Sequence, residues 1–114
     1  IGVLNAFKNK TTYSGTYNGV ADYDQVSVNV DFRNAKGKLV GYFAGHNHDD
    51  INTTNKGFNI ITTRCDAKEE HTEALRNERV VGTTTEQSFD VFTVANGVIH
   101  VTKIGAGSDR TINY

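Results

Sequence analysis

The 114-residue sequence contains no proline, tryptophan or methionine, and its one cysteine is Cys65. A single cysteine excludes an internal disulfide and fits a reduced, cytoplasmic environment somewhat better than an oxidising one. No apolar run approaches the roughly 20 residues that a membrane-spanning helix needs, and no signal peptide is visible, so we expect no membrane association. The lack of an initiating methionine predicts that the chain is a fragment of a longer protein.

The charges are nearly balanced, with 12 basic and 13 acidic residues and a net charge of -1. A nucleic-acid-binding surface normally shows an excess of lysine and arginine, so charge does not indicate a nucleic-acid partner. The length predicts a single domain, residues 1–114, with a core of modest size.

Most of the chain shows strand patterns. Residues 25–32 alternate strictly and predict a half-buried strand with its apolar side chains on one face: Val26, Val28, Val30 and Phe32. The turn signal at residues 34–37 then predicts a hairpin, with residues 38–44 as its second strand. Residues 1–7 read as the end of a helix, and residues 9–17, rich in Thr, Asn, Tyr and Gly, read as a loop.

Further strands are predicted in the second half. Residues 59–63 form one, and residues 88–94 form another whose two faces both carry apolar groups, so we expect it to be covered on both sides. Asn96-Gly97 is a strong two-residue turn signal, after which residues 98–104 pair back. The segments 49–56 and 66–79 read as polar loops, the second with at most a helical turn or two. The predicted fold class is therefore α+β, β-rich and mostly antiparallel.

The segment with the clearest chemistry is Gly45-His46-Asn47-His48, which follows the apolar residues 38–44. Residues two apart in an extended segment point to the same side, so both imidazoles can converge on one edge of a sheet. Imidazole nitrogens suit Zn²⁺, Mn²⁺ or Fe, which makes His46 and His48 candidate metal ligands.

The neighbours of the two histidines have subordinate expected roles. Gly45 lets the backbone turn where the strand meets the site. Asn47 faces a substrate cleft or solvent. Asp49 and Asp50 can orient a histidine ring through its other nitrogen, or they are solvated loop acids.

This segment resembles the last signature block, Gly-His-x-His, of the calcineurin-like metallophosphoesterases. The stretches 57–63, 82–84, 86–92 and 104–110 are also similar to the C-terminal portion of bacterial and phage-borne members. The resemblance implies a two-sheet β-sandwich of which this chain supplies the C-terminal half. It also implies two divalent ions, Mn, Fe or Zn, with His46 and His48 as ligands, and hydrolysis of a phosphomonoester or phosphodiester.

The earlier signature blocks of that family are absent. No Asp-x-His, Gly-Asp-x-x-Asp or Gly-Asn-His-Asp/Glu occurs in the chain. We therefore expect an incomplete metal site, no catalytic residue here beyond the two ligands, and little activity of the chain alone. A missing N-terminal half would be its natural partner, and the apolar surface left uncovered predicts a homo-oligomer of the isolated piece.

Two alternatives stay open. The first is a non-catalytic β-sandwich binding or structural module, for instance of a phage assembly, in which the Gly-His-x-His is incidental. The second is a single-metal site built from His46, His48 and either Asp49 or Asp50. Of the other histidines, His71 lies in a charged segment and is expected to be a surface residue. His100, in mid-strand, is expected to face solvent or to pack against the sheet.

Overall fold

The computed structural model describes residues 1–19, 25–66 and 72–114. The chain divides into two compact units, Ile1–Leu39 and Val40–Tyr114. The expectation of a single domain stays a prediction. His71 lies outside the described residues.

The described residues form an α+β structure that is rich in strand, which confirms the predicted class. The elements in chain order are α1 Gly2–Asn9, β1 Thr12–Tyr17, β2 Val26–Asp31, β3 Tyr42–Ala44, β4 Asn52–Asn55, β5 Phe58–Thr62, α2 Glu73–Asn77, β6 Ser88–Ala95, β7 Val98–Gly105 and β8 Arg110–Asn113. None of the helices described is long and apolar enough to cross a membrane.

The first unit is helix α1 followed by the antiparallel pair β1–β2, in which Thr12 lies opposite Asp31 and Tyr17 opposite Val26. Phe7 of the helix packs edge-on against Phe32, with ring centroids 5.3 Å apart. The prediction of a loop over residues 9–17 is wrong, because its Thr and Tyr residues favour extended backbone and β2 offers them a complete partner strand.

The predicted hairpin between residues 25–32 and 38–44 is also wrong. β2 pairs with β1, whereas β3 pairs in parallel with β5. β5 is the most apolar strand of its sheet and holds the buried side chains of Phe58 and Ile61, so it becomes the central strand. A parallel neighbour needs a long connection, and the strand β4 within that connection occupies part of the predicted polar loop 49–56.

The second unit contains two three-stranded sheets, β3-β5-β4 and β6-β7-β8. Their core is a cluster of four buried side chains, Ile61, Ile99, Val101 and Ile112. Phe43 packs against Phe92 in an edge-to-face contact with centroids 4.8 Å apart. Burial of these groups at roughly 25 cal/mol per Å² is the main force that holds the sheets together.

The Asn96–Gly97 turn between β6 and β7 is confirmed. Both residues have positive φ, 52° and 84°, and Ala95 lies opposite Val98 in an antiparallel ladder. The expectation that β6 is covered on both faces is not met, because Phe89 and Val91 on its outer face are 48% and 47% exposed.

The structure describes residues 66 and 72–79 of the segment 66–79. These residues contain the five-residue helix α2, as predicted, and the Thr72 side chain accepts a hydrogen bond from the Leu75 amide at its start. This is the ordinary N-cap arrangement of a short helix.

Candidate functional site

The two histidines of the motif lie in a loop that begins directly after β3. His46 is exposed and His48 is half-buried. Both have left-handed backbone conformations, with φ of 81° at His46 and 51° at His48. Non-glycine residues in this region are uncommon and cost of order 1–3 kcal/mol each.

The other positive-φ residues that are not glycine have ordinary structural reasons. Lys10 closes helix α1 as its C-cap, and Lys56 and Asn96 each precede a glycine in a tight turn between two antiparallel strands. Neither a helix end nor a hairpin turn accounts for His46 and His48. Residues held in this region cluster at functional sites, although histidine adopts it more readily than most other non-glycine residues.

The path of the chain gives a physical cause for this conformation. β3 and β4 lie on opposite sides of β5, so the connection between them crosses over the end of β5. At its start the Thr63 amide donates to the Ala44 carbonyl, 3.3 Å, and at its end the Thr62 hydroxyl donates to the Asp49 carbonyl, 2.8 Å. Both ends of the connection are thus bonded to neighbouring residues, Thr62 and Thr63, so the chain between Ala44 and Asp49 must reverse its direction sharply.

Gly45 does not carry that reversal. Its φ lies outside the left-handed region, and a Cβ added there would have no atom within 4 Å. The left-handed residues are the histidines themselves, and Asn47 between them is exposed.

Asp49 and Asp50 are both half-buried and differ in their partners. Asp49 Oδ1 accepts a hydrogen bond from the Asp50 amide at 2.7 Å. Asp50 is directed at basic groups: its carboxylate accepts from Lys103 Nζ at 2.8 Å and from the Arg64 amide at 3.2 Å. Asp50 therefore belongs to an ionic cluster, and this is a different role from the expected one of orienting a histidine ring.

We call this cluster the Asp50 network. It consists of two carboxylates and three basic side chains, namely Asp50, Asp90, Arg64, Lys103 and Arg110. Lys103 Nζ lies 2.6 Å from Asp90 Oδ1, and Arg110 Nη2 lies 2.5 Å from Asp90 Oδ2 and 3.4 Å from Asp50 Oδ1. Arg64 also pairs with Glu78 at 2.6 Å, which balances the third positive charge.

The network is buried. The Asp90 side chain is 0% exposed, that of Lys103 2% and that of Arg64 6%. Charges taken out of water are tolerated only when they are paired and hydrogen-bonded, and removal of one partner leaves an uncompensated charge inside the protein. The network ties the histidine loop to three strands, since Asp90 lies on β6, Lys103 on β7 and Arg110 on β8.

Sequence reasoning missed this network, although part of it was accessible. A two-residue turn at Asn96–Gly97 sets the register of the hairpin, and in that register Asp90 stands directly opposite Lys103. Opposite charges facing each other across two strands are a stabilising pair. The participation of Asp50, 53 residues before Lys103, had no local signal.

An open cavity of about 550 Å³ adjoins the network, and Asp49, the residue after His48, is part of its wall. Its wall is lined by Asp49, Asp50, Arg64, Glu78, Thr85, Gly105, Ala106, Gly107, Ser108 and Arg110. Its two guanidinium groups and three carboxylates nearly compensate one another. The cavity is therefore suited to a polar ligand that both donates and accepts hydrogen bonds, and its charge gives no strong preference for an anion.

The donor chemistry of the histidine loop fits a divalent transition metal, but only in part. Two imidazoles are fewer than the three protein ligands that catalytic zinc sites have. Within residues 1–19, 25–66 and 72–114, no group of three or more His, Cys, Asp or Glu side chains is placed to hold a metal ion. The single-metal alternative with Asp49 or Asp50 therefore gains no support from the described residues.

Comparisons with known proteins identify no relative: no protein-family model matches the chain, and neither a curated protein nor a solved structure matches it significantly.

Proposed function

We propose that this chain is part of a metal-dependent phosphoesterase and that His46 and His48 are the two metal ligands it contributes. The observation that carries the proposal is the left-handed backbone of both histidines where the chain crosses over the end of β5. Backbone strain of this kind clusters at active sites, where it holds side chains in a defined arrangement. The resemblance of Gly45–His48 to the Gly-His-x-His block supplies the chemical identity of that site.

The position of the loop supports the same proposal. It leaves the carboxyl end of β3, whose neighbour β5 runs parallel to it. Binding residues are common on loops that follow a strand, because such loops can vary while the strands stay fixed. The polar cavity whose wall includes Asp49 and Asp50 offers hydrogen-bond donors from Arg64 and Arg110 to a polar ligand, but its balanced charge does not by itself favour a phosphate ester.

The metal ions, when bound, would neutralise charge on the phosphoryl group and activate a water molecule for attack. The contribution of this chain is narrower: two imidazoles on the loop that connects β3 to β4. The remaining ligands, the two-metal site and the phosphate-ester substrate belong in this proposal to the intact protein. The chain alone is expected to hydrolyse phosphate esters slowly or not at all.

Paramagnetic broadening by Mn²⁺ tests the ligand assignment on the 114-residue chain. The imidazole signals of His46 and His48 should broaden at Mn²⁺ concentrations that leave His100, an exposed histidine on β7, sharp. His46→Ala and His48→Ala should each weaken the effect at the other histidine, and the matched variant His100→Ala should not. Equal broadening of all three signals, or none, would reject the assignment.

The coding sequence upstream of Ile1 gives a second, independent test. The proposal expects Asp-x-His, Gly-Asp-x-x-Asp and Gly-Asn-His-Asp/Glu blocks there, in that order. An unrelated domain in their place would favour the non-catalytic β-sandwich module instead. Robust turnover of a chromogenic phosphodiester by the 114-residue chain with Mn²⁺, lost in His48→Ala, would show that the chain holds more metal ligands than the two histidines.

A further inference from the structure

Asp50 lies two residues after His48 and is the point at which the histidine loop joins the buried network. Its side chain is 11% exposed. Three donors from two other parts of the unit converge on it: Lys103 Nζ, the Arg64 amide and Arg110 Nη2. The residue is therefore held on several sides, unlike the exposed residues of the loop itself.

The backbone around Asp50 is held as well. Its amide donates to Asp49 Oδ1, and the amide of Ile51 donates to Thr62 Oγ1 at 3.2 Å. The Thr62 amide in turn donates to the Ile51 carbonyl at 2.8 Å. These bonds fix the backbone where the loop ends. The Asp50 side chain adds contacts to Arg64, which follows β5, and to Lys103 and Arg110 of the β6-β7-β8 sheet.

We propose that Asp50 is a positioning residue, which holds His46 and His48 in their left-handed conformations by anchoring the loop to Lys103, Arg64 and Arg110. The inference rests on the proposed function, because only a site that uses both imidazoles requires them to be held in a defined arrangement. Hydrogen bonds to charged groups are about twice as strong as neutral ones, so a carboxylate at position 50 resists the tendency of the loop to relax to ordinary φ values.

Asp50→Asn tests this directly, because it keeps the size of the side chain and removes its charge. The matched control is Asp90→Asn, which removes the other carboxylate of the same network from β6, away from the loop. Both variants weaken the network, so a purely structural role would affect them alike. A positioning role predicts that Asp50→Asn changes the histidine loop and that Asp90→Asn does not.

Two readouts are needed on each variant. The first is the set of three-bond couplings of His46 and His48 from the amide proton to the α proton, the carbonyl carbon and Cβ, which together report φ without any metal. In Asp50→Asn these couplings should move towards the values of ordinary extended or helical backbone, and in Asp90→Asn they should stay unchanged. The second is the apparent Mn²⁺ dissociation constant from the histidine signals, expected to rise about 10- to 100-fold in Asp50→Asn only, as for other groups that support metal ligands.

The outcomes separate the two proposals. Unchanged couplings and an unchanged constant in Asp50→Asn, or equal changes in Asp90→Asn, overturn the positioning role alone. The absence of selective broadening in the unsubstituted chain overturns the proposed function and this inference with it. If Asp50→Asn does not fold, Asp50→Glu, which keeps the charge but moves it by one methylene, should show a smaller change of both readouts in the same direction.

Discussion

Replacement of Lys103 by methionine should destabilise the second unit severely. The Lys103 ammonium is 2% exposed and lies 2.6 Å from Asp90 and 2.8 Å from Asp50. Methionine fills a similar volume without the charge, so the variant leaves two buried carboxylates with less compensation. Breaking a buried ion pair by removal of one partner costs about 3–5 kcal/mol. Because Arg110 still contacts Asp90, we expect the lower end, about 3 kcal/mol.

This loss of unfolding free energy is large relative to the total stability of the second unit. A unit the length of Val40–Tyr114 has an unfolding free energy of about 4–11 kcal/mol by the usual value per residue. With a urea m value of about 1.5 kcal/mol per M, the transition midpoint should fall by about 2 M. The amide signals of Ile99 and Val101 report this unit specifically, because both residues belong to its buried core.

The matched control is Lys56→Met, at an exposed lysine of the same unit, which should change the free energy of unfolding by less than about 0.5 kcal/mol. The double variant Lys103→Met/Asp90→Asn should cost less than its two single changes together, with a coupling of about 0.5–3 kcal/mol. Equal midpoints for Lys103→Met and Lys56→Met would refute the burial of the network and the anchoring role of Asp50 that depends on it.

Two further predictions concern backbone strain and pH. A Cβ at Gly105, where φ is 93°, would lie 1.9 Å from the Gln87 carbonyl oxygen. Gly105→Ala should therefore lower the free energy of unfolding by about 3 kcal/mol. Gly45→Ala, where a Cβ would meet no atom within 4 Å, should leave the free energy of unfolding unchanged or raise it by about 0.4–1 kcal/mol. Similar urea midpoints for the two variants would contradict the close approach of Gln87 to Gly105. In the first unit, hydrogen bonds from Arg33 lower the pKa of Asp31 from 3.8 to about 2. A lowered folded-state pKa gives a contribution to stability that is present above about pH 4 and lost as pH falls towards 2. Carboxyl ¹³C shifts should follow the titration of Asp31, and Arg33→Gln should raise its pKa back towards 3.8. An unchanged titration midpoint in Arg33→Gln would show that Arg33 does not lower this pKa.

Local patterns predicted the elements better than their partners. The alternation around Val28 and Val30 and the Asn96–Gly97 turn indicated strands and a hairpin that the structure contains, because both signals depend on neighbouring residues only. The turn signal at residues 34–37 suggested a wrong partner for β2. Strand pairing depends on which distant segment buries the most apolar surface, and the buried side chains of β5 decided it for β3.

The candidate site also combines features that local sequence patterns predict with features that depend on distant contacts. The sequence by itself determined the two histidines, their place after a short strand and the register that sets Asp90 opposite Lys103, because these follow from residue type, spacing and a two-residue turn. Only the tertiary structure decided that the loop crosses over the end of β5, that both histidines become left-handed, and that Asp50 is bound by Lys103. These features arise from chain closure and from charges that must find partners once they are buried, and neither effect exists until distant segments meet.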